Sequence, residues 1–296
     1  MTAPNVSVIM NCYNGSIYLG KAIESVILQT YKNWELIFWD NKSTDNSASI
    51  LKKYRDNRIK YFISDTHTSQ YEARRKAVLK AEGNYIAFLD VDDWWEPKKI
   101  EKQLKLFSND QIGFACNNYL IVNERKNTIS KAFKDIPSGY ILNDLLKRNF
   151  VGMSTLMIKK KCYFDLDYGF DPKFEIIGDY DLVLRLASKY KLGATNEILS
   201  SYRWHGNNLG IIKFDLNIRE LEIWINENKH RTEFSSKKNF DYLRDYTKFY
   251  NGLNKIINHD RAGAFKIVST IKSNVFKLKL LIILILPLAI IKALRS

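Results

Sequence analysis

The sequence predicts an α/β fold built on a mostly parallel, doubly wound sheet with flanking helices. Apolar runs of strand length alternate with segments of helical periodicity over the first hundred residues. Aspartates close two of those runs, and no internal repeat or low-complexity linker breaks the pattern. With 296 residues, 46% of them hydrophobic and 26% charged, the chain can bury a sizeable core in one large domain or in a domain plus an appendage.

Taken in order, "VSVIM" (6–10) reads as a buried strand. "GSIYLGKAIESVILQTY" reads as a helix, with Ile17, Leu19, Ala22, Ile23, Val26 and Ile27 at helical spacing. "WELIFWD" (34–40) is the second strand, and "NKSTDNSASILKKY" opens a helix with Ser and Asp as caps. "RIKYFIS" is a third strand, "YEARRKAVLKAEG" a third helix closed by Gly83, and "NYIAFLD" (84–90) the fourth strand. Residues 112–210 mix strand-like runs ("IGFACNNYLIV", "STLMIKK", "EILSSYRW") with one clear helix, "DYDLVLRLASKYK" (179–191). From residue 213 the pattern is helical and Lys-rich. In sheets of this kind ligands bind beyond the carboxyl ends of the strands, where Asp40 and Asp90 sit.

Three cysteines, Cys12, Cys116 and Cys162, form no CxxC pair and no even framework, which argues against a disulfide scaffold or structural zinc and for a reducing compartment. "MTAPNVSVIM" lacks the features of a secretion signal, so the expected location is the cytosol. The net charge of +14 points to an anionic partner, and after Asp260 there are seven Lys or Arg and no acid. In that stretch Leu280 to Ile291 is uncharged and almost wholly apolar, between Lys279 and Lys292. Spanning a bilayer takes about 20 residues, and Pro287 interrupts this run. A segment lying in the cytoplasmic leaflet with lysines on anionic lipid fits it better than a span, and a buried terminal helix is the alternative.

"FLDVDDWWEP" (88–97) places Asp90, Asp92 and Asp93 within four residues. Carboxylates this close repel one another and raise each other's pKa unless a cation sits among them. If the strand persists, Asp90 and Asp92 project to one side while Asp93 points away, free to cap a helix begun by "WWEPKKIEKQLKLF". Hard oxygen ligands without clustered Cys or His favour Mg²⁺ or Mn²⁺, which commonly bind one or two carboxylates plus substrate phosphates.

Four ordered stretches over about residues 5–210, "VSVIMNCYNGSIYLGKAIESVILQTYKNWELIFWDNKSTDNS", "EARRKAVLKAEGNYIAFLDVDDWWEP", "GDYDLVLRLA" and "YRWH", resemble family 2 glycosyltransferases of the nucleotide-sugar-binding GT-A fold. The resemblance implies a GT-A domain over 1–212, with a nucleotide-binding half (1–110) and an acceptor-binding half (111–212), followed by a helical, basic region (213–296) whose segment 280–291 associates with membrane. It implies that Asn11 to Asn14, with Cys12 and Tyr13, border the base, where Asn11 and Cys12 replace the family's Pro-Thr. Asp40 would accept a hydrogen bond from the base, and a carboxylate suits the imide of uracil, favouring a UDP-sugar. Arg74 matches the Arg of the family's Ala-Arg-Asn-x-Gly pattern. Asp90 would contact the ribose and Asp92 the metal, the DXD role, with His205 completing the metal shell or touching the diphosphate. Arg203 is a weaker phosphate-binding candidate, and Trp94 and Trp95 would stack on sugar or pack the core.

In "IIGDYDLVLRL" the resemblance implies that Asp179 is the general base; Gly178 stands where the family commonly has Glu, so one supporting carboxylate is missing. The implied activity is inverting, metal-dependent transfer of the hexosyltransferase type, from a nucleotide-sugar to a glycan or lipid-linked saccharide, at the inner face of the cell membrane. A nucleic-acid-binding protein is the rival that the charge suggests, but no helix-turn-helix, zinc spacing or RNP-like strand is present and nucleic acid is not expected as a partner. A nucleotidyltransferase would open on a Gly-rich phosphate loop, which is absent, and a non-catalytic nucleotide-sugar-binding relative has Gly178 as its only hint.

Overall fold

The computed structural model describes residues 4–295. Two compact units are distinguished, residues 1–141 with 149–208 and residues 142–148 with 209–296. The first opens with β1 (Val6–Cys12), α1 (Leu19–Ile27), β2 (Trp34–Asp40), α2 (Ser47–Leu51), β3 (Ile59–Ile63), α3 (Gln70–Val78) and β4 (Tyr85–Phe88). β1 pairs in parallel with β2 and β4, and β2 with β3, giving four parallel strands in the order β3-β2-β1-β4. β2 is buried along its whole length and β1 nearly so, as strands covered on both faces are, which is why both read as unbroken apolar runs. Val8, Leu36 and Phe38 meet Ile23 and Val26 of α1 in the core.

Beyond β4 come β5 (Trp94–Trp95), α4 (Lys99–Lys105), β6 (Ile112–Asn123) and β7 (Thr128–Lys131), then α5 (Leu142–Lys147) of the second unit. β8 (Met157–Lys159), α6 (Lys160–Phe164), α7 (Gly178–Lys189) and β9 (Lys191–Trp204) complete the first unit. β8 is antiparallel to β4 and β6, β9 is parallel to β6, and β5 is antiparallel to β9. The sheet runs β3-β2-β1-β4-β8-β6-β9-β5, with β7 hairpinned onto β6. This is the expected α/β architecture, with a parallel half and a mixed half.

Four local expectations are corrected. α1 starts only at Leu19 and leaves Ile17 exposed before it. α3 ends at Val78, so Gly83 does not close it; a Cβ at Gly83 would lie 2.7 Å from the Ser7 backbone nitrogen, and close passage of two chain segments is what requires glycine there. Trp94 and Trp95 pair with Ser201 and Ser200 as a strand, and the following helix starts at Lys99 with no side-chain cap. The strand before the acids stops at Phe88, and a turn closed by Asp93 N donating to Asp90 O (3.1 Å) brings Asp93 inward to join its neighbours.

α4 carries an unusual core residue. Lys99 is fully buried, its ammonium lies 3.8 Å from the Trp95 ring centroid, and its Nζ has no hydrogen-bond partner among the described residues. Burial pushes its pKa well below 10.5. Between that depressed value and 10.5 the unfolded chain binds a proton the folded chain lacks, so stability rises with pH across the window. Lys99→Met should therefore be more stable than wild type at pH 7 by about 1–3 kcal/mol. The variant should also lose a slope of about 1.4 kcal/mol per pH unit. Denaturation midpoints of both proteins at pH 7 and 9.5 check this: equal pH dependence in the two would contradict it.

The second unit contains α5, α8 (Leu209–Ile212), α9 (Phe214–Asn228), α10 (Thr232–Ser235), α11 (Lys238–Ile257), α12 (Arg261–Val268), α13 (Asn274–Ile285) and α14 (Leu288–Arg295). Asn143 of α5 is held by the backbone and side chain of Asn239 (3.0 and 2.7 Å). Phe249, Leu253 and Ile256 of α11 pack with Phe276 and Leu280 of α13, and a Cβ at Gly252 would lie 2.6 Å from Leu280 Cδ2. Asp245 accepts from Lys272 N (3.0 Å) and Ser273 N (2.6 Å), holding the entry to α13. The opposite face of α13 is also apolar: Val275, Leu278, Ile282 and Ile285 are 61%, 60%, 48% and 81% exposed, in one helical stripe. No helix among the described residues is long and apolar enough to cross a membrane.

Candidate active site

The carboxyl ends of β1, β2 and β4 lie side by side, with Cys12 in register with Asp40 and Ile9 with Phe88. The loops after β1 and β2 are stitched together: Asn14 N donates to Ser43 Oγ (3.1 Å), Thr44 N to Asn14 Oδ1 (2.8 Å) and Ser16 N to Asp45 Oδ2 (2.9 Å). Burial alone would raise Asp45, but hydrogen bonds from Ser47 and Ser16 hold it at about 2. Asn14 and Lys42 adopt positive φ at these turns.

Asp40 is almost wholly buried; Oδ1 accepts from Ser43 N (2.7 Å) and Oδ2 from Tyr61 Oη (3.0 Å). Burial, then Asp40, pushes the Tyr61 hydroxyl up to about 12, so it remains a donor. Asp40 thus fixes the loop, and its lone pairs toward any base are those left over from these two bonds. Cys12 requires a correction, because its thiol is fully buried in the core and raised by that burial. Its carbonyl accepts from Asn41 N (2.8 Å) and its thiol lies 3.9 Å from Ser43 Oγ, so both polar groups of Cys12 are turned to the protein. Tyr13 is half exposed, its ring 3.9 Å from that of His67, a partner not singled out in the sequence. Asn41 in turn ties Thr68 through Nδ2 to its carbonyl (2.7 Å).

After β4, carboxylate oxygens of Asp90, Asp92 and Asp93 all lie within 4.8 Å of one another. Asp93 is the most enclosed: Oδ2 accepts from Ser154 Oγ (2.5 Å) and Oδ1 from Arg203 N (3.0 Å). Burial, then Asp92 and Asp90, pushes it well above the usual carboxylate range. Asp90 is paired with Arg74. Asp92 faces His205: its Oδ2 lies 3.1 Å from His205 Nε2, and burial followed by Asp90 raises its pKa while His205 opposes the rise. Hard oxygens crowded together and mutually repelling are a donor set suited to Mg²⁺ or Mn²⁺, and Asp92, facing the His205 ring where Asp90 is taken by Arg74 and Asp93 by Ser154 and Arg203 N, is the carboxylate best placed to share such an ion.

His205 comes from the end of β9, whose bulged pairing with β6 carries it past the acid turn. Its ring stacks on Tyr18 (5.2 Å between centroids), and Nδ1 accepts from Asn207 N (3.1 Å). Arg203 is not available to phosphate in this arrangement. Its Nε donates to Asp92 O (2.9 Å), Nη1 pairs with Glu124, and the guanidinium lies 4.3 Å from the Tyr18 ring and 4.9 Å from Trp94. Trp94 also carries Lys21 at 3.3 Å, while Trp95 is buried and donates to Ser154 O (2.7 Å). Trp95 therefore packs the core. Tyr18, Glu124 and Ser154 were not legible as site residues, since each reaches the acid turn from far along the chain.

Asp179 lies in the first turn of α7, half-buried, with Oδ1 accepting from Tyr180 N (2.8 Å) and Tyr71 Oη (3.1 Å). Burial raises its pKa, and Arg74 chiefly opposes that. A carboxylate of raised pKa is a stronger proton acceptor. Asp181, two residues on, is consumed by Arg185 at 2.5 Å. Arg74 is buried beside the Tyr71 ring (5.2 Å) and its pairing with Asp90 and attraction to Asp179 link the acid turn to α7. The structure thus brings Asp90, Asp92, His205, Arg74 and Asp179 into one region, with Tyr13 and Asp40 at the neighbouring strand ends.

A family model described as glycosyl transferase family 2 matches residues 7–161. Among curated relatives, the Escherichia coli UDP-Glc:alpha-D-GlcNAc-diphosphoundecaprenol beta-1,3-glucosyltransferase WfgD is 33% identical over 211 residues, 71% of this chain and 81% of that protein. Among solved structures, S. aureus TarS 1-349 in complex with UDP-GlcNAc superposes with a TM-score of 0.59 at 16% identity, covering 82% of this chain and 80% of that one. The mannosyltransferase PcManGT from Pyrobaculum calidifontis, in complex with GDP-Man and Mn²⁺, gives 0.64 at 14% identity, covering 91% and 75%. Both structural likenesses bear on the fold, which is of the GT-A type.

Proposed function

The chain belongs to glycosyl transferase family 2, and from that premise we propose that it is an inverting, metal-dependent enzyme moving a hexosyl group from a UDP-sugar to a lipid-linked saccharide. The observation that carries this reading is the convergence of a cation-seeking acid turn, with Asp92 facing His205, and a half-buried, basic Asp179 on the same region. Residues 1–110 are assigned to donor binding, 111–212 to the acceptor, and segment 280–291 of the helical, basic region 213–296 to membrane association. A UDP donor and lipid-linked acceptor are supported by what WfgD is named for and by the UDP-GlcNAc complex of TarS.

In this mechanism the acceptor oxygen forms a bond to the anomeric carbon while the bond to the diphosphate oxygen breaks, its electron pair leaving with the UDP. Asp179 takes the acceptor's proton, with its Oδ1 fixed by two donors. Asp92, with His205 beside it, would hold Mn²⁺ or Mg²⁺, which offsets charge growing on the leaving diphosphate. Arg74 keeps Asp90 oriented toward the ribose, and Tyr13 offers a flat face to the base.

The exposed stripe of α13 is assigned to an anionic bilayer on the cytoplasmic side. Lys277 and Lys279 flank it, and no acid follows Asp260, so its charge complements anionic lipid, where each lysine adds about 1 kcal/mol. Purified full chain with Mn²⁺, a panel of UDP-sugars, a lipid-linked saccharide and phosphatidylglycerol vesicles tests the whole reading. UDP release that requires one donor and the acceptor, together with flotation on anionic but not neutral vesicles, is expected. No release with any UDP-sugar would overturn the transfer reading, and absence from the floated fraction the membrane reading.

A further inference from the structure

We propose that Tyr71 is the positioning residue of Asp179, and that Gly178 is glycine because the Tyr71 ring occupies the space a side chain there would need. This rests on the reading of Asp179 as the base. A Cβ built on Gly178 would lie 2.5 Å from both Cγ and Cδ2 of Tyr71 and 2.8 Å from Cε2. Ring carbons of a packed side chain cannot yield by the ångström this demands. Tyr71 is 2% exposed and stacks on Phe170 at 5.6 Å, which is itself fully buried, so the ring has nowhere to retreat.

From that seat the Tyr71 hydroxyl reaches Asp179 Oδ1 (3.1 Å) and Ile176 O (2.8 Å). A phenol has one hydrogen to donate, and both acceptors flank the same turn at the start of α7. Burial, and next Asp179, keeps that hydroxyl protonated, so it is a donor at all working pH values. With Tyr180 N already on Oδ1, the phenol's single hydrogen, divided between Ile176 O and Oδ1, adds a second restraint on the carboxylate's rotation; loss of the phenol leaves only the backbone bond. The support next to the base is a phenol delivered from α3, and glycine at position 178 is the condition for its seat.

Tyr71→Phe keeps the ring and removes only the donor. The expected result is a kcat lower by about tenfold, as one hydrogen bond to a charged group warrants, with the KM for the UDP-sugar unchanged. The acid limb of the kcat profile should move up by about one pH unit, because a donor to the ionised carboxylate is gone. Gly178→Glu should lose activity through collision with the ring, and Tyr71→Ser with Gly178→Glu should recover it above the Gly178→Glu level. Unchanged kcat and acid limb in Tyr71→Phe, with Asp179→Asn inactive, would overturn the positioning role alone. Full turnover in Asp179→Asn would instead overturn the base assignment on which it rests. A ¹³C carboxyl titration of Asp179 in the two proteins reads the Tyr71 contact without catalysis: an identical midpoint would overturn it.

Discussion

Asp179→Asn is expected to lower turnover by about 10²- to 10⁴-fold while leaving Mn²⁺–UDP binding at the wild-type level. Asparagine is nearly isosteric, and its amide oxygen can still accept from Tyr180 N and Tyr71 Oη, so the first turn of α7 has no reason to rearrange. What disappears is the basicity. Burial favours the protonated form of Asp179 and Arg74 only partly offsets it, so the carboxylate holds a proton more tightly than an exposed aspartate would. In the wild type, turnover should therefore rise as pH passes upward through that raised pKa, and the variant should show no such limb. Steady-state kcat profiles and calorimetric UDP titrations of both proteins separate the two effects. Loss of UDP affinity together with turnover would mean that Asp179 shapes the donor pocket rather than accepting the proton.

The parallel half of the sheet was legible because strands buried on both faces write themselves as continuous apolar runs, and β1, β2 and β4 are such strands. The same burial hid the fate of Cys12: with both faces covered, residue parity does not say which side chains face a ligand. Trp94 and Trp95 read as the opening of a helix because their strand exists only through pairing with Ser200 and Ser201, over a hundred residues away. Asp93 was read as pointing outward, on the premise of a strand that the turn at Asp90 ends. The acids themselves stood out, since three carboxylates in four residues need an explanation wherever they fall. Two of their supports did not: Ser154 and Glu124 meet the acid turn and Arg203 by long-range pairing of distant segments that no local pattern encodes. Tyr71 was passed over for the same reason, being 108 residues from the carboxylate it holds.

Asp92→Ala is expected to abolish metal-dependent turnover and yet leave the metal-free protein at least as stable as wild type. The two halves of that expectation have one cause. Asp92 is enclosed beside Asp90 and Asp93, and burial and Asp90 both penalise its ionised form. Removing the charge relieves Asp93 of its nearest electrostatic opponent and leaves Ser154 and Arg203 still bonded to it. A site kept at a cost to the fold is what strained functional clusters show when their purpose lies in binding. Wild type should gain about 2.7 kcal/mol from UDP and Mn²⁺ at a hundred times the dissociation constant, and the variant nothing. Melting curves with and without Mn²⁺ and UDP, beside turnover, read all of this. Equal stabilisation of both proteins by the ligands, with turnover retained in the variant, would remove Asp92 from the site, and a variant much less stable without metal would show that Asp92 belongs to the fold.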